Sequence, residues 1–166
     1  MTKIISAIIA FLLMLFPTSG NLLATQQQLS FPGEKAAANQ IIEAIKGNDI
    51  DALIDMYCVA AKSTGEVTTE NLQKFIDTIE GDIKKGEYFL SDSSDYSNKG
   101  HIKSHRQIKI KITTSQQQYL IYASWVVADT ETPESVGLLQ LTLFPYEDPV
   151  VIAQVPLKGS IQNAGY

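Results

Sequence analysis

The sequence predicts an α+β domain: three N-terminal helices packed on a curved antiparallel meander of three to four strands. Three observations carry that expectation. Apolar residues recur at three- and four-residue spacing through the first half of the chain, with capping residues between the stripes. After Leu90 the period changes to two. The alternating runs are separated by turns too short for crossover helices, so neighbouring strands should run antiparallel.

At 166 residues, 45% hydrophobic and 19% charged, the chain has the length and composition of one globular domain. Its 13 basic and 18 acidic residues give a net charge of −5, the wrong sign for a nucleic-acid partner. Lys3 is the only charge before Glu34 and precedes an apolar run, Ile4 to Phe16, which Pro17 ends. A short positive start, about 7–15 apolar residues and a small-residue exit read as a secretory signal peptide over residues 1–24. Small residues allow cleavage after Gly20 or after Ala24. The rival reading is an uncleaved anchor extended through Leu22, Leu23 and Ala24, which alone would bring a membrane into contact with the protein.

Cleavage leaves 12 basic and 18 acidic residues, a net charge of −6. No Cys follows the apolar run, which excludes a lipoprotein of the bacterial type. The chain has a single cysteine, Cys58, so no intramolecular disulfide holds it, and it contains no Asn-x-Ser/Thr acceptor. A bacterial periplasmic or released protein is the expected setting.

Residues 25–33 are a polar lead-in ending in Pro-Gly, and a single domain follows over 34–157. Glu34 to Lys46 places Ala37, Ile41 and Ile45 on one face, and Gly47 suits the left-handed residue that ends such a helix. A second stripe runs through Ile50, Leu53, Ile54, Tyr57, Cys58 and Ala61, capped by Asn48 or Asp49. The third helix starts at Thr68 or Thr69, carries Leu72, Phe75, Ile76, Ile79 and Ile83, and ends at Lys84, Lys85 and Gly86.

Ser91 to Gly100 reads as a turn-rich loop. From Lys103, polar residues alternate with Ile108, Ile110 and Ile112. Gln118 to Ala128 is apolar on both faces, as a central strand would be. Leu139, Leu141 and Leu143 mark a strand over Val136 to Phe144, and Val150 to Val155 is a short last one. Residues 158–166 form a loose tail.

The segment AIKGNDIDALIDMY joins two helices through a Gly-Asn-Asp break, and a meander follows. In that order the chain resembles the nuclear transport factor 2-like superfamily of cone-shaped α+β domains, many of them exported. The likeness spans Glu34 to Val155. Many members place a hairpin between the second and third helices, and Val59 to Val67 is too short for one. Three helices before a meander are also similar to the periplasmic domains of type IV secretion inner-membrane components. The resemblance implies an enzyme, a binder or an assembly part, because the fold hosts all three.

The sequence holds no phosphate-binding glycine loop, no paired-Cys metal site, no HExxH and no GxSxG. His101 and His105 are four apart, roughly 13 Å along a strand at about 3.3 Å per residue, too far to share a metal. No metal and no cofactor are expected. Cys58 lies in an apolar stripe, which favours a buried thiol over a nucleophile.

The basic run Lys99, Lys103, Arg106, Lys109 and Lys111 stands out in an acidic chain. Lys103, Lys109 and Lys111 share an outward face, either guarding an edge strand against aggregation or offering a surface to an anion, a lipid headgroup or an acidic partner. Arg106 shares the face of the three isoleucines. It either reaches past the sheet's edge or lines a pocket with Tyr57, Tyr122 and Trp125 as walls, where a buried cation would require an anionic ligand. The leading expectation is a small exported non-enzymatic domain binding a partner protein or a small ligand, with a homodimer as one candidate assembly. The alternatives are a membrane-tethered secretion component and a small pocket enzyme.

Overall fold

The computed structural model describes residues 31–148 and 150–156. The expected signal peptide at 1–24, most of the lead-in and the tail at 158–166 lie outside the described residues. Among the described residues no helix is long and apolar enough to cross a membrane.

Helix α1 spans Glu34–Gly47 and buries Ala37, Ala38, Ile41, Ile42, Ala44 and Ile45. Its left-handed closing residue is Asn48, at φ 52°, and Gly47 completes the last turn. Asn tolerates that conformation because its side chain is short and polar. The expected second helix is two. Ile50–Met56 (α2) is capped by Asp49, whose carboxylate accepts from the Ala52 N–H at 3.0 Å, and Val59–Ser63 (α3) is a single turn beyond it. Tyr57 and Cys58 between them are extended.

The cause of that break is tertiary. Tyr57 forms a parallel bridge with Leu138, and the Cys58 N–H donates to the Leu138 carbonyl at 2.9 Å. The apolar stripe therefore continues across a break that its periodicity does not reveal.

Thr68 caps α4, Thr69–Asp77, as expected, but the helix is shorter than its stripe. Ile83 to Gly86 belong instead to β1, Ile83–Asn98, which pairs with β2, His101–Thr114. Gly86 is a point of close approach, not a helix stop. A Cβ there would lie 2.5 Å from Ile42 Cγ2, so α1 crosses the sheet at this glycine. Ser91 to Asn98, the expected loop, is the distal half of β1, and Lys99 and Gly100 at positive φ turn the hairpin.

Strand β3 covers Gln118–Asp129, a 3-10 turn covers Pro133–Ser135, and β4 and β5 cover Gly137–Pro145 and Ala153–Val155. The five strands form one antiparallel sheet in the order β1-β2-β3-β4-β5, one strand more than the sequence predicts at most. Four α-helices, not three, precede it among the described residues.

The alternation settles which face is covered. Ile108, Ile110, Ile112, Tyr119, Ile121, Ala123, Leu141 and Leu143 point inward and share one buried core with residues of all four helices. Each of the isoleucines and leucines contributes about 1.5–3 kcal/mol through burial. Among the described residues, the opposite face carries no helix.

Candidate functional site

Arg106 lies on the inner face near the distal end of β2, 19% exposed. Its guanidinium donates to Asp95 of β1 at 2.6 Å and lies 3.3 Å from Glu34 at the start of α1. It also donates to Ser104 Oγ and to the His105 carbonyl. The Asp95 carboxylate raises the guanidinium's affinity for its proton, and Arg106 in turn holds the Asp95 carboxyl below its ordinary value. Two carboxylates thus neutralise the cation that a pocket anion would have met. A cleft of about 300 Å³ beside it is lined by Asp95, Ser97, Ile102, Ser104 and Arg106.

The structure places Trp125 beside Arg106 and turns Tyr122 to the other face of the sheet. Trp125 is the cross-strand neighbour of Arg106, 2% exposed, with its ring 5.7 Å from that of Phe31. Its Nε1 has no hydrogen-bond partner among the described residues. Tyr57 is 1% exposed, and its hydroxyl donates to the Val155 carbonyl at 2.9 Å, which ties the α2–α3 break to β5. Burial pushes its phenol well above the ordinary range. Tyr122 faces the other way. In β3 the inward residues are Tyr119, Ile121, Ala123 and Trp125, so Tyr122 projects from the uncovered face.

That uncovered face gathers the predicted lysines. Tyr122 packs on Phe144 with ring centroids 4.8 Å apart. Lys109 lies 5.3 Å from the Tyr122 ring centre and 2.8 Å from Asp92. Lys111 lies 4.1 Å from the Tyr146 ring centre. Lys103 pairs with Asp129 at 3.3 Å. The lysines do not guard an edge, because β2 lies between β1 and β3. Asp92 and Asp129, which pair with two of them, come from the neighbouring strands, out of sight of a reading along one strand. On the same face His105 Nε2 lies 2.6 Å from Ser124 Oγ. Burial, then the charges of Lys103 and Arg106, lowers the imidazole's proton affinity and favours its neutral form. His101 instead pairs with Glu131 at 3.0 Å.

Asp129, at the end of β3, anchors the loop that follows. Its carboxylate accepts from the Glu131 and Thr132 N–H groups at 3.0 Å and from the Thr132 hydroxyl at 2.6 Å. The Ser135 hydroxyl adds a fourth bond at 3.3 Å. The sequence offered a signal, since an Asp followed by Thr132, Pro133 and Ser135 is a side chain that caps its own loop. Glu34 and Asp95, the partners of Arg106, left none.

Cys58 is 1% exposed and its sulfur accepts from the Ala61 N–H at 3.3 Å. Burial pushes its thiol up, so thiolate is scarce at neutral pH. Iodoacetamide is therefore expected to leave Cys58 intact in the native protein and to label it fully in denaturant. Comparable rates in both conditions would mean that the thiol is accessible. Among the described residues no three His, Cys, Asp or Glu side chains come together as metal ligands.

The sequence model of a family described as a domain of unknown function (DUF5104) matches residues 40–148, which is 109 of the 166 positions. The chain belongs to the DUF5104 family. No curated protein matches it. The DUF5104 span takes in Arg106 and Asp95, the lysine–aromatic face and the Asp129 loop, and it leaves out Glu34 and β5.

Proposed function

We propose that this DUF5104 domain is a small exported, non-enzymatic module that binds a partner protein through the uncovered face of its sheet. One observation carries the reading. Core side chains and helices fill the inner face, Tyr57 and Trp125 included, whereas Tyr122, Phe144, Tyr146, Lys109 and Lys111 lie together on the other side, with no element of the described residues over them. Half-buried aromatics flanked by cations are the composition of protein-binding surfaces, where rings supply area and the cations orient the partner. Helices covering one side of a single antiparallel sheet also support the likeness to the nuclear transport factor 2-like cones. Export rests on the apolar run at 4–16 and its small-residue exit.

Photo-crosslinking residues placed at Lys111 and at Tyr146 of the full chain, expressed in its native envelope, test this. The expected result is one discrete protein adduct from both positions, lost in the Lys109→Glu variant, and none from Gln73 on α4. Adducts concentrated at Gln73 or beside Arg106 would sink the proposal.

A further inference from the structure

Along the strand Lys103, Lys109 and Lys111 are equivalent, three cations on one face of β2, but their partners set one of them apart. The Lys103 ammonium lies 3.3 Å from Asp129, and that of Lys109 lies 2.8 Å from Asp92. A fourth lysine of this face, Lys85 of β1, lies 2.6 Å from Glu87. Lys111 opposes Glu87 across the β1–β2 ladder, but Lys85 holds that carboxylate. Among the described residues no carboxylate comes within 4.0 Å of the Lys111 ammonium.

Its setting is apolar. The ammonium lies 4.1 Å from the centre of the Tyr146 ring. Leu120 opposes Lys111 on β3, and Phe144 opposes Leu120 on β4. An ammonium has three N–H donors, and an aromatic ring attracts it from one side only. A carboxylate arriving over Leu120 and Tyr146 meets the remaining donors, and the pair strengthens as the contact excludes water. Lys109 offers no such opening. Its side chain is 19% exposed, with Asp92 and the Tyr122 ring already around its ammonium.

This asymmetry also chooses between anionic partners. An anionic membrane is held by clusters of about four to eight basic residues, and three of the four lysines on this face are neutralised within the domain. A single unpaired cation in an aromatic surround suits one carboxylate of a protein.

We propose that the partner meets this face with an apolar segment carrying an aspartate or glutamate, whose carboxylate pairs with Lys111. The inference rests on the reading of this face as the partner-binding surface and adds the partner's charge and the lysine that recognises it.

The test uses the full chain and three acetylated, amidated heptapeptides, Asp-Leu-Tyr-Asp-Leu-Tyr-Asp and its versions with Asn or Lys in place of each Asp. Fluorescence anisotropy should show the acidic peptide binding most tightly and the basic one least. Lys111→Met should weaken the acidic peptide by about tenfold and leave the Asn peptide unchanged, because only a direct pair couples the two substitutions. Lys74→Met removes an equal charge from α4, in the opposite layer, and should alter neither. Circular dichroism checks that both variants remain folded. An acidic peptide that binds no better than the Asn peptide overturns the inference, and so does a Lys111→Met loss shared by both. Tighter binding to phosphatidylglycerol vesicles than to any peptide, equal in wild type and Lys111→Met, overturns it in favour of a membrane. An aromatic photoprobe at Tyr146, with Lys111 intact, separates this failure from that of the surface itself. An adduct whose partner segment holds no acidic residue keeps the surface and removes the pairing, whereas no adduct removes both.

Discussion

Asp129→Ala is expected to lower the stability of the domain by about 3 kcal/mol, measured as a shift of the urea midpoint at unchanged slope. The side chain is 3% exposed and accepts two backbone N–H groups and two hydroxyls while pairing with Lys103. Removing it strands several donors at once, and a stranded buried donor costs more than its hydrogen bond contributed. Asp129→Asn retains one acceptor and is expected to lose roughly half as much.

The same carboxylate predicts a pH dependence. Burial raises its pKa, but the bonds from Thr132, from the Glu131 N–H and from Lys103 outweigh burial and hold it at about 2, against an ordinary 3.8. A depressed folded value means that the stabilisation is complete above about pH 4 and is lost as pH falls through about 2. At neutral pH it amounts to about 2 kcal/mol. Urea midpoints taken across that window should therefore fall more steeply for the wild type than for Asp129→Asn. Parallel acid limbs would show that the bonds around Asp129 do not favour its charged form.

What was legible in the sequence follows from where side chains meet one environment on one side and another on the other. β2 and the central strands sit between core and solvent, so Ile108, Ile110 and Ile112 announced their period, as did Ala37, Ile41 and Ile45 of α1. The distal half of β1 is exposed on both faces, so Ser91 to Asn98 has no alternation and reads as a loop; only pairing to β2 makes it a strand. A register shift between Ser124 and Trp125 turns Leu138 inward and leaves Leu139 half-buried, which regular alternation from Leu143 back through Leu139 does not foresee. The candidate site was legible in its lysines and not in their setting. Asp92 reaches Lys109 and Asp95 reaches Arg106 across a hairpin, and Glu34 comes from another layer of the fold. Such encounters are fixed by the register of strands and the docking of α1.

The largest departure from the sequence reading, the break at Tyr57 and Cys58, predicts the second large effect. Gly137 sits at φ +132°, and a Cβ built on it would lie 3.2 Å from the Cα, Cβ and N of Cys58. Cys58 has no freedom to withdraw, because its N–H is bonded to the Leu138 carbonyl and Tyr57 bridges the same residue. Gly137→Ala therefore meets backbone strain and a steric clash together, about 3–4 kcal/mol in all. Gly65→Ala separates the two contributions. Gly65 is also at positive φ, +74°, but nothing lies within 4 Å of its added Cβ, so it should cost only about 1 kcal/mol. The clash also predicts a local consequence. If α3 is pushed away from β4, the Cys58 thiol becomes reachable, and its alkylation in the folded Gly137→Ala protein should accelerate while that of Gly65→Ala should not. Equal losses for the two alanines, with equally protected thiols, would mean that the α2–α3 break does not depend on the close passage of Cys58 over Gly137.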